Sequence, residues 1–275
     1  MSSILIAPLV MGGVGILCGG ALTAAAMYFA VKEDPRVEKA LEILPGVNCG
    51  GCGYAGCADY AKAVVLEGAP PHLCAPGGSE TTCALCELLG IEAEASERKV
   101  AIVLCAGDNS KAGRKSSYNG VSDCRAAAAV DDGDKTCRYG CLGYGTCAEV
   151  CPVDAIEMTD KRLAVVHPET CIGCGACVKA CPRGIIKMVP ASSKIHILCS
   201  SGDPGAVARK ACAVACIGCR RCVKHVEGKG ISMDGTLAVV DYDSPPGDES
   251  VTDVCPDNCI VVRVIDGEKA GRDKI

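Results

Sequence analysis

Apolar and polar residues alternate differently in the two parts of this 275-residue chain. Residues 2–31 form one apolar run without a charged side chain, longer than the ~20 residues of a membrane-spanning helix. The apolar segments that follow are short. Residues 59–67 have the pattern of a helix, residues 80–91 that of a capped amphipathic helix, and residues 162–169 that of a short strand and turn. The pattern predicts one long apolar helix followed by small α+β units.

The apolar run has two interpretations, a membrane anchor and a cleaved signal peptide. A signal peptide carries a basic segment before a short apolar core, whereas this run is long and no Lys or Arg precedes it. Lys32, Arg36 and Lys39 follow the run directly. The positive-inside rule then places the remainder of the chain in the cytoplasm. We therefore expect a single-pass protein of the inner or plasma membrane.

Composition changes this picture through its 24 cysteines. Cytoplasmic thiols are kept reduced, so metal ligation is favoured over disulfides. Only 3% of the residues are aromatic, so bound metal must supply much of the folding energy. The net charge of −5 argues against nucleic-acid binding, and 49% hydrophobic residues exclude a disordered chain.

The first cysteine group has the spacing C-x2-C-x4-C-x16-C and comprises Cys49, Cys52, Cys57 and Cys74. Four thiolates are the ligands of a cubane [4Fe–4S] cluster. The glycines between the first three cysteines permit tight turns. A zinc site is the alternative, but zinc ribbons usually pair two short knuckles, and here the fourth cysteine is remote.

The second and third groups are each followed by proline. The third fits C-x2-C-x2-C-x3-C-P, the bacterial ferredoxin motif, whose last cysteine ligates the other cluster of a pair. The second is stretched to C-x3-C-x5-C-x3-C-P. Cross-ligation therefore predicts one cluster on Cys137, Cys141, Cys147 and Cys181, and another on Cys171, Cys174, Cys177 and Cys151.

The fourth group is degenerate. Val226 replaces its last cysteine, and only Cys255-Pro256 remains of the motif that should follow. Cross-ligation then predicts a single cluster on Cys216, Cys219, Cys222 and Cys255. His225, three residues after Cys222, is more simply a surface residue than a ligand.

Seven cysteines of the predicted cytoplasmic part remain: Cys83, Cys86, Cys105, Cys124, Cys199, Cys212 and Cys259. Residues 98–105 and 193–199 resemble each other, which matches Cys105 with Cys199 and Cys124 with Cys212. Each copy predicts a strand ending in cysteine, then a cysteine that opens a helix. These four are either buried thiols or ligands of a fifth cluster or another metal site. Cys83 and Cys86, on the helix of residues 80–91, are expected to pack in the core.

Taken together, the apolar run, the segment LPGVNCGGCGYAGC with Cys74, and the paired CxxxCP motifs resemble the B subunit of the Rnf electron-transport complex (RnfB or RsxB), in its extended form from anaerobes. The resemblance covers nearly the whole chain. It implies a subunit that takes electrons from reduced ferredoxin and passes them to other Rnf subunits. That complex couples ferredoxin:NAD electron transfer to sodium or proton translocation. The degenerate motif at residues 244–250 departs from the extended pattern.

We expect five regions. They are a transmembrane helix (1–31), a four-cysteine [4Fe–4S] domain (32–95), a strand–helix connecting segment (96–130), a dicluster ferredoxin-like domain (131–190) and a degenerate ferredoxin-like domain with one cluster (191–275). The prediction is thus four [4Fe–4S] clusters, with a fifth left open. No catalytic base, nucleophile or GxGxxG segment stands out, so neither an independent catalytic site nor direct NAD binding is expected. Two other functions stay open: a ferredoxin-like subunit of another membrane oxidoreductase, and a relay that keeps a redox-sensing regulator reduced.

Overall fold

The computed structural model describes residues 2–28, 34–92 and 97–263. The first helix, α1, spans Ser2–Tyr28, and Met11, Ile16 and Leu17 on it are about three-quarters exposed. Over the described ranges, no helix has both the length and the apolar character of a membrane span. The transmembrane helix predicted over residues 1–31 is therefore not confirmed, and its first residue and last three residues lie outside the described ranges.

A small helical unit follows. Helix α2 (Pro35–Ile43) begins where the Asp34 side chain accepts a hydrogen bond from the Arg36 backbone N–H. Helix α3 (Cys57–Lys62) continues into a π-helical turn, Ala63–Glu67, and a 3₁₀ turn over Pro71–Leu73 precedes α4 (Gly78–Leu89). The helices predicted over residues 59–67 and 80–91 are both confirmed.

The core of this unit is made by the inner faces of these helices, with Val37, Ala40, Tyr60 and Leu85 buried. Cys86 is also buried, as predicted. Cys83 is exposed, so the packing role predicted for it is wrong. The apolar positions of α4 face α2, and Cys83 lies on the opposite side of the helix.

The remainder of the described chain contains four two-stranded antiparallel sheets. Strand β1 (Lys99–Val103) pairs with β4 (Ile186–Pro190), and β2 (Ile156–Met158) pairs with β3 (Ala164–Val166). Strand β5 (Ile195–Ile197) pairs with β8 (Ile260–Val262), and β6 (Ile231–Asp234) pairs with β7 (Leu237–Val240). The strand predicted within residues 162–169 is confirmed as β3. The mixture of short strands and helices agrees with the predicted α+β class.

Within residues 97–263, five short α-helices lie among the cysteine groups: α5 (Cys124–Ala129), α6 (Thr146–Glu149), α7 (Ala176–Ala180), α8 (Gly205–Ala211) and α9 (Arg221–His225). Cys124 is the first residue of α5, as the sequence echo predicts. Cys212 instead follows the last residue of α8, so that expectation is wrong for Cys212. The two strand-then-cysteine predictions are confirmed, because Cys105 and Cys199 each lie two residues beyond a strand, β1 and β5.

Two hydrophobic cores belong to these sheets. One lies under β1, β2, β3 and β4 and includes four buried cysteines, Cys141, Cys147, Cys171 and Cys177. The other lies under β5, β6, β7 and β8 and includes Cys216, Cys222 and Cys259. A two-stranded sheet is only marginally stable alone. The short strands and helices therefore depend for their stability on packing around the cysteine groups.

Candidate iron–sulfur centres

The first cysteine group lies in the helical unit. Cys57 opens α3, and its backbone N–H donates to Asn48 Oδ1 at 2.8 Å, which closes the loop that carries Cys49 and Cys52. Burial raises the pKa of Cys74, and the thiols of Cys57, Cys49 and Cys52 raise it further. The structure thus brings the four predicted ligands together.

The third group meets Cys151 in the same way. Cys151, Cys171, Cys174 and Cys177 line one small cavity under β1 and β3. Burial raises the pKa of Cys177 to about 11, with contributions from the thiols of Cys171, Cys174 and Cys151. The arrangement is the one that cross-ligation requires.

The second group is only partly assembled as the sequence predicts. Burial and the nearby thiols of Cys141, Cys124 and Cys181 raise the pKa of Cys147 to about 12. Three predicted ligands are therefore neighbours, and the fourth thiol beside them is Cys124 rather than Cys137. The Cys124 backbone N–H donates to Thr146 Oγ1 at 2.7 Å, which holds Cys124 next to Cys147.

Cys137 lies elsewhere. Burial raises its pKa, and the thiol that adds to this effect is Cys105, from the end of β1. Sequence reasoning missed the place of Cys124 because no local spacing motif contains it.

The fourth group surrounds a cavity under β5 and β7. Cys216, Cys219, Cys222 and Cys255 line it, as predicted, and so does Cys259. Sulfur atoms of Cys255 and Cys259 are 3.5 Å apart. A hydrogen bond from Cys259 lowers the pKa of Cys216 to about 6 and that of Cys255 to about 6, and raises the pKa of Cys259 itself. Cys259 is thus suited to remain a thiol and donate to two thiolates.

The position of Cys259 could have been found from the motif. It follows Cys255 by four residues, as Ala155 follows Cys151. Ala155 also donates to the sulfur before it, through its backbone N–H to Cys151 Sγ at 3.2 Å. His225 bonds Asp248 and Ser250, each at 2.9 Å, and these contacts account for it without a role as ligand.

These groups offer the donors of [4Fe–4S] clusters, because each contains at least four thiols. Within the described ranges, no three His, Cys, Asp or Glu side chains are placed to hold one single metal ion. Backbone amides also point at sulfur, as in Ala101 N–H to Cys171 Sγ at 3.5 Å. Such hydrogen bonds are a means by which proteins tune cluster potentials.

One glycine in each ferredoxin-type motif has the same role. Gly143, Gly173 and Gly218 each follow a cysteine by two residues and have φ of +77°, +72° and +66°. A Cβ atom on them would lie 2.2 Å from Arg162 O, 2.5 Å from Lys99 O and 2.6 Å from Thr236 O, respectively. Only glycine permits both this backbone conformation and this approach. Each motif loop therefore packs directly against a neighbouring strand or turn.

Gly143 and Gly173 also align Tyr144 with Cys174. Tyr144 therefore occupies the position of the second ligand of the motif, and it makes polar contacts there. Its hydroxyl donates to Asp134 Oδ2 at 3.0 Å, and the Arg162 guanidinium lies 4.1 Å from the centre of its ring. Asp134 is buried and pairs with Arg114 at 2.8 Å and Arg162 at 3.3 Å. Burial raises the pKa of Asp134, but Tyr144 and the two arginines together lower it below its ordinary value.

Asp134→Asn should destabilise the chain by about 2–3 kcal/mol, because it leaves two guanidiniums without a buried carboxylate. The measurement is urea unfolding at neutral pH without oxygen, followed by circular dichroism and by visible cluster absorbance. Asp131→Asn is the matched control, since Asp131 is exposed and pairs with Lys115 at the surface. Equal unfolding midpoints for the two variants would contradict the role of Asp134.

The helical unit contacts the ferredoxin-type part at two of these groups. A Cβ on Gly51 would lie 2.7 Å from the carbonyl oxygen of Cys174, so the Cys49–Cys52 loop rests directly on the Cys171–Cys177 loop. The thiol of Cys49 is also among those that raise the pKa of Cys174, after burial. The first and third groups are therefore neighbours.

Two protein families match this chain. The family described as "Putative Fe-S cluster" matches residues 44–76, and the "4Fe-4S dicluster domain" family matches residues 136–185. The first match contains the first cysteine group, and the second contains the paired groups. The predictions of [4Fe–4S] centres and of dicluster ferredoxin-like structure are confirmed at this level.

Three curated relatives match most of the chain. It is 42% identical to the B subunit of the Na⁺-translocating ferredoxin:NAD⁺ oxidoreductase complex of Acetobacterium woodii over 94% of this chain and 78% of the relative. It is 38% identical to the B subunit of the ion-translocating oxidoreductase complex of Methanosarcina acetivorans over 96% and 100%. It is 40% identical to the B subunit of the proton-translocating ferredoxin:NAD⁺ oxidoreductase complex of Clostridium ljungdahlii over 88% and 85%. The chain therefore belongs to the family of B subunits of Rnf-type ion-translocating oxidoreductase complexes.

Proposed function

We propose that this chain is a membrane-anchored, multi-cluster electron-transfer subunit. In this proposal it accepts electrons from reduced ferredoxin and relays them within an Rnf-type complex, where ferredoxin:NAD⁺ electron transfer drives Na⁺ or H⁺ translocation. A bound [4Fe–4S] cluster exchanges one electron at a time. Catalysis belongs to the complex, and the residues of this chain hold, separate and tune its clusters.

The succession of cysteine groups in space carries the proposal. The first group touches the third through Gly51 and Cys174. The third adjoins the second, because Cys177 is one of the thiols that raise the pKa of Cys147. A path from the first group through the third to the second follows from these two contacts, and it has no break in the described part of the chain.

The membrane anchor in this proposal is α1. Its described side chains are apolar or small, and Leu22 is 72% and Met27 75% exposed. An apolar helix with these side chains uncovered is stabilised by lipid or by apolar partner helices. In the proposal, the four-cysteine domain and the two ferredoxin-like domains lie on the cytoplasmic side, in contact with other Rnf subunits.

Reduced ferredoxin should bleach the visible absorbance of the full chain purified anaerobically in detergent, whereas NADH alone should not. This follows because the bound clusters accept single electrons and the sequence offers no dinucleotide-binding loop. Stopped-flow absorbance measures both reactions. Cys83→Ala, which removes an exposed thiol outside the groups, should behave like the wild type. Rapid bleaching by NADH, or none by ferredoxin, would refute the proposal.

A further inference from the structure

Residues 135–141 and 210–216 are two copies of one segment, KTCRYGC and KACAVAC. This register matches Cys137 with Cys212 and Cys141 with Cys216, and it replaces the match of Cys124 with Cys212. The structure contradicts the earlier register, because Cys212 follows a helix whereas Cys124 opens one. Each copy is preceded by a strand and a cysteine, β1 with Cys105 and β5 with Cys199.

The two preceding cysteines have the same surroundings. Cys105 Sγ accepts hydrogen bonds from the backbone N–H of Gly107 at 3.4 Å and of Cys141 at 3.4 Å. Cys199 Sγ accepts them from Ser201 at 3.5 Å and Cys216 at 3.2 Å. In both copies the donors are the second residue after the cysteine and the first ferredoxin-type ligand. Two amides aimed at one sulfur is an arrangement suited to a cluster-bound thiolate.

The copies pack against each other through their backbones. Ala106 N–H donates to Leu198 O at 3.0 Å, Gly113 N–H to Ala211 O at 2.9 Å, and Ala213 N–H to Lys111 O at 2.8 Å. These bonds join the loop after Cys105 to the segments that carry Cys199 and Cys212. The four matched cysteines therefore all lie where the two copies pack against each other.

The glycines at this contact locate the sulfur atoms. A Cβ on Gly107 would lie 3.1 Å from Cys212 Sγ and 3.6 Å from Cys105 Sγ. A Cβ on Gly140 would lie 3.5 Å from Cys137 Sγ and 3.7 Å from Cys105 Sγ. The thiol of Cys105 also contributes, after burial, to the raised pKa of Cys199. Cys105 is thus close to each of the other three.

The buried side chain of Lys135 lies beside these matched cysteines. Lys135 is 2% exposed, and its Nζ donates to Gly107 O at 2.8 Å. Lys135 belongs to none of the ion pairs found in the described ranges. Its charge opposes the rise in pKa that burial causes at Cys141 and Cys212. A buried ammonium group without a carboxylate is costly unless an anion lies beside it, and four thiolates with a cluster supply that negative charge.

We propose that a fifth [4Fe–4S] cluster binds where the two copies meet, on Cys105, Cys137, Cys199 and Cys212. In the same assignment, Cys124 takes the place of Cys137 as the fourth ligand beside Cys141, Cys147 and Cys181. Each of these sets then contains the four thiolates that a cubane cluster requires.

This site lies between the second and fourth groups. Cys141 of the second group donates its N–H to Cys105, and Cys216 of the fourth donates to Cys199. The site would therefore extend the succession of centres from the second group to the fourth. Its role as a bridge rests on the proposed function, whereas the ligation does not.

The test is iron and acid-labile sulfide per chain, on the full wild-type chain purified anaerobically in detergent, with zinc measured in the same samples. Five cubane clusters require about 20 iron and 20 sulfide, and four require about 16. We expect about 20 for the wild type and for Cys83→Ala. We expect about 16 for the double variant Cys105→Ala/Cys212→Ala, with the EPR signals of the other reduced clusters retained.

Three results would overturn the assignment. One is about 16 iron in the wild type that the double variant leaves unchanged, and another is about 16 iron with one zinc ion. The third is about 20 iron in both proteins, which would place the fifth cluster elsewhere. Bleaching by ferredoxin is measured separately, so failure of this site and failure of the proposed function are distinguishable.

A second variant keeps the test decisive where the double variant does not fold. Lys135→Gln removes the buried charge but no ligand. A nearby cation favours the reduced form of a cluster, which is the more negative form. Loss of the Lys135 charge should therefore lower the midpoint potential of the proposed cluster more than that of any other cluster. Redox titration followed by EPR measures this shift, with Lys111→Gln as the control. The site would be contradicted if all the cluster midpoint potentials of Lys135→Gln equalled those of the wild type.

Discussion

Removal of all iron and sulfide should unfold the chain beyond α1. Each described sheet has two strands, and Cys141, Cys147, Cys171 and Cys177 are part of one hydrophobic core. Domains are stable by only ~5–15 kcal/mol, and binding of a single structural metal contributes a comparable free energy. Without clusters, the buried thiols would surround cavities that short strands and helices cannot close.

Far-ultraviolet circular dichroism and amide hydrogen exchange of the full chain in detergent measure this effect. After chelation under reducing conditions, amides of β1, β4, β5 and β8 should exchange without protection. Anaerobic reconstitution with iron and sulfide should restore protection, which controls for irreversible damage. Native-like dichroism with protected strands in iron-free protein would refute the prediction.

Gly173→Ala should be far more damaging than Gly175→Ala, two residues away. Both glycines have positive φ, +72° and +71°, so alanine costs each roughly 1–2 kcal/mol in backbone conformation. At Gly175 a Cβ meets nothing within 4 Å, whereas at Gly173 it would lie 2.5 Å from Lys99 O in β1. We expect about 3–5 kcal/mol for Gly173→Ala, since the backbone of β1 must move.

Urea unfolding of the two variants gives the difference directly. Gly173→Ala should also change the EPR signal of the cluster beside it, because β1 carries the Ala101 N–H that donates to Cys171 Sγ. Gly175→Ala should leave that signal unchanged. Equal loss of stability would mean that the positive φ, and not the contact with β1, makes glycine necessary at position 173.

The sequence predicted those features that short spacing encodes. The ferredoxin spacing around Cys171 predicted that Cys174 and Cys177 lie beside Cys151, and the short strand predicted between the two motifs is β3. Each of these depends on neighbours in sequence, for which cysteine spacing and side-chain periodicity are direct evidence.

Contacts between distant segments were not predictable in this way. Cys124 approaches Cys147 through a hydrogen bond to Thr146, and no spacing motif includes Cys124. Tyr144 replaces a motif cysteine. A search for cysteines alone therefore assigned Cys137 to the second group in its place. The pairing of β1 with β4 joins segments predicted to belong to different regions, because hydrogen-bonded strands carry no local sign of their partner.

The pairing of β1 with β4 has a consequence for the synthesis of this protein. Residue 99 leaves the ribosome before its partner, residue 190, and at ~5–20 residues per second the interval is roughly 5–18 s. During this time the nascent chain presents unpaired backbone together with thiols that oxygen can oxidise. The β1–β4 pair, which lies over the core that holds Cys141, Cys147, Cys171 and Cys177, can therefore close only after residue 190 has emerged.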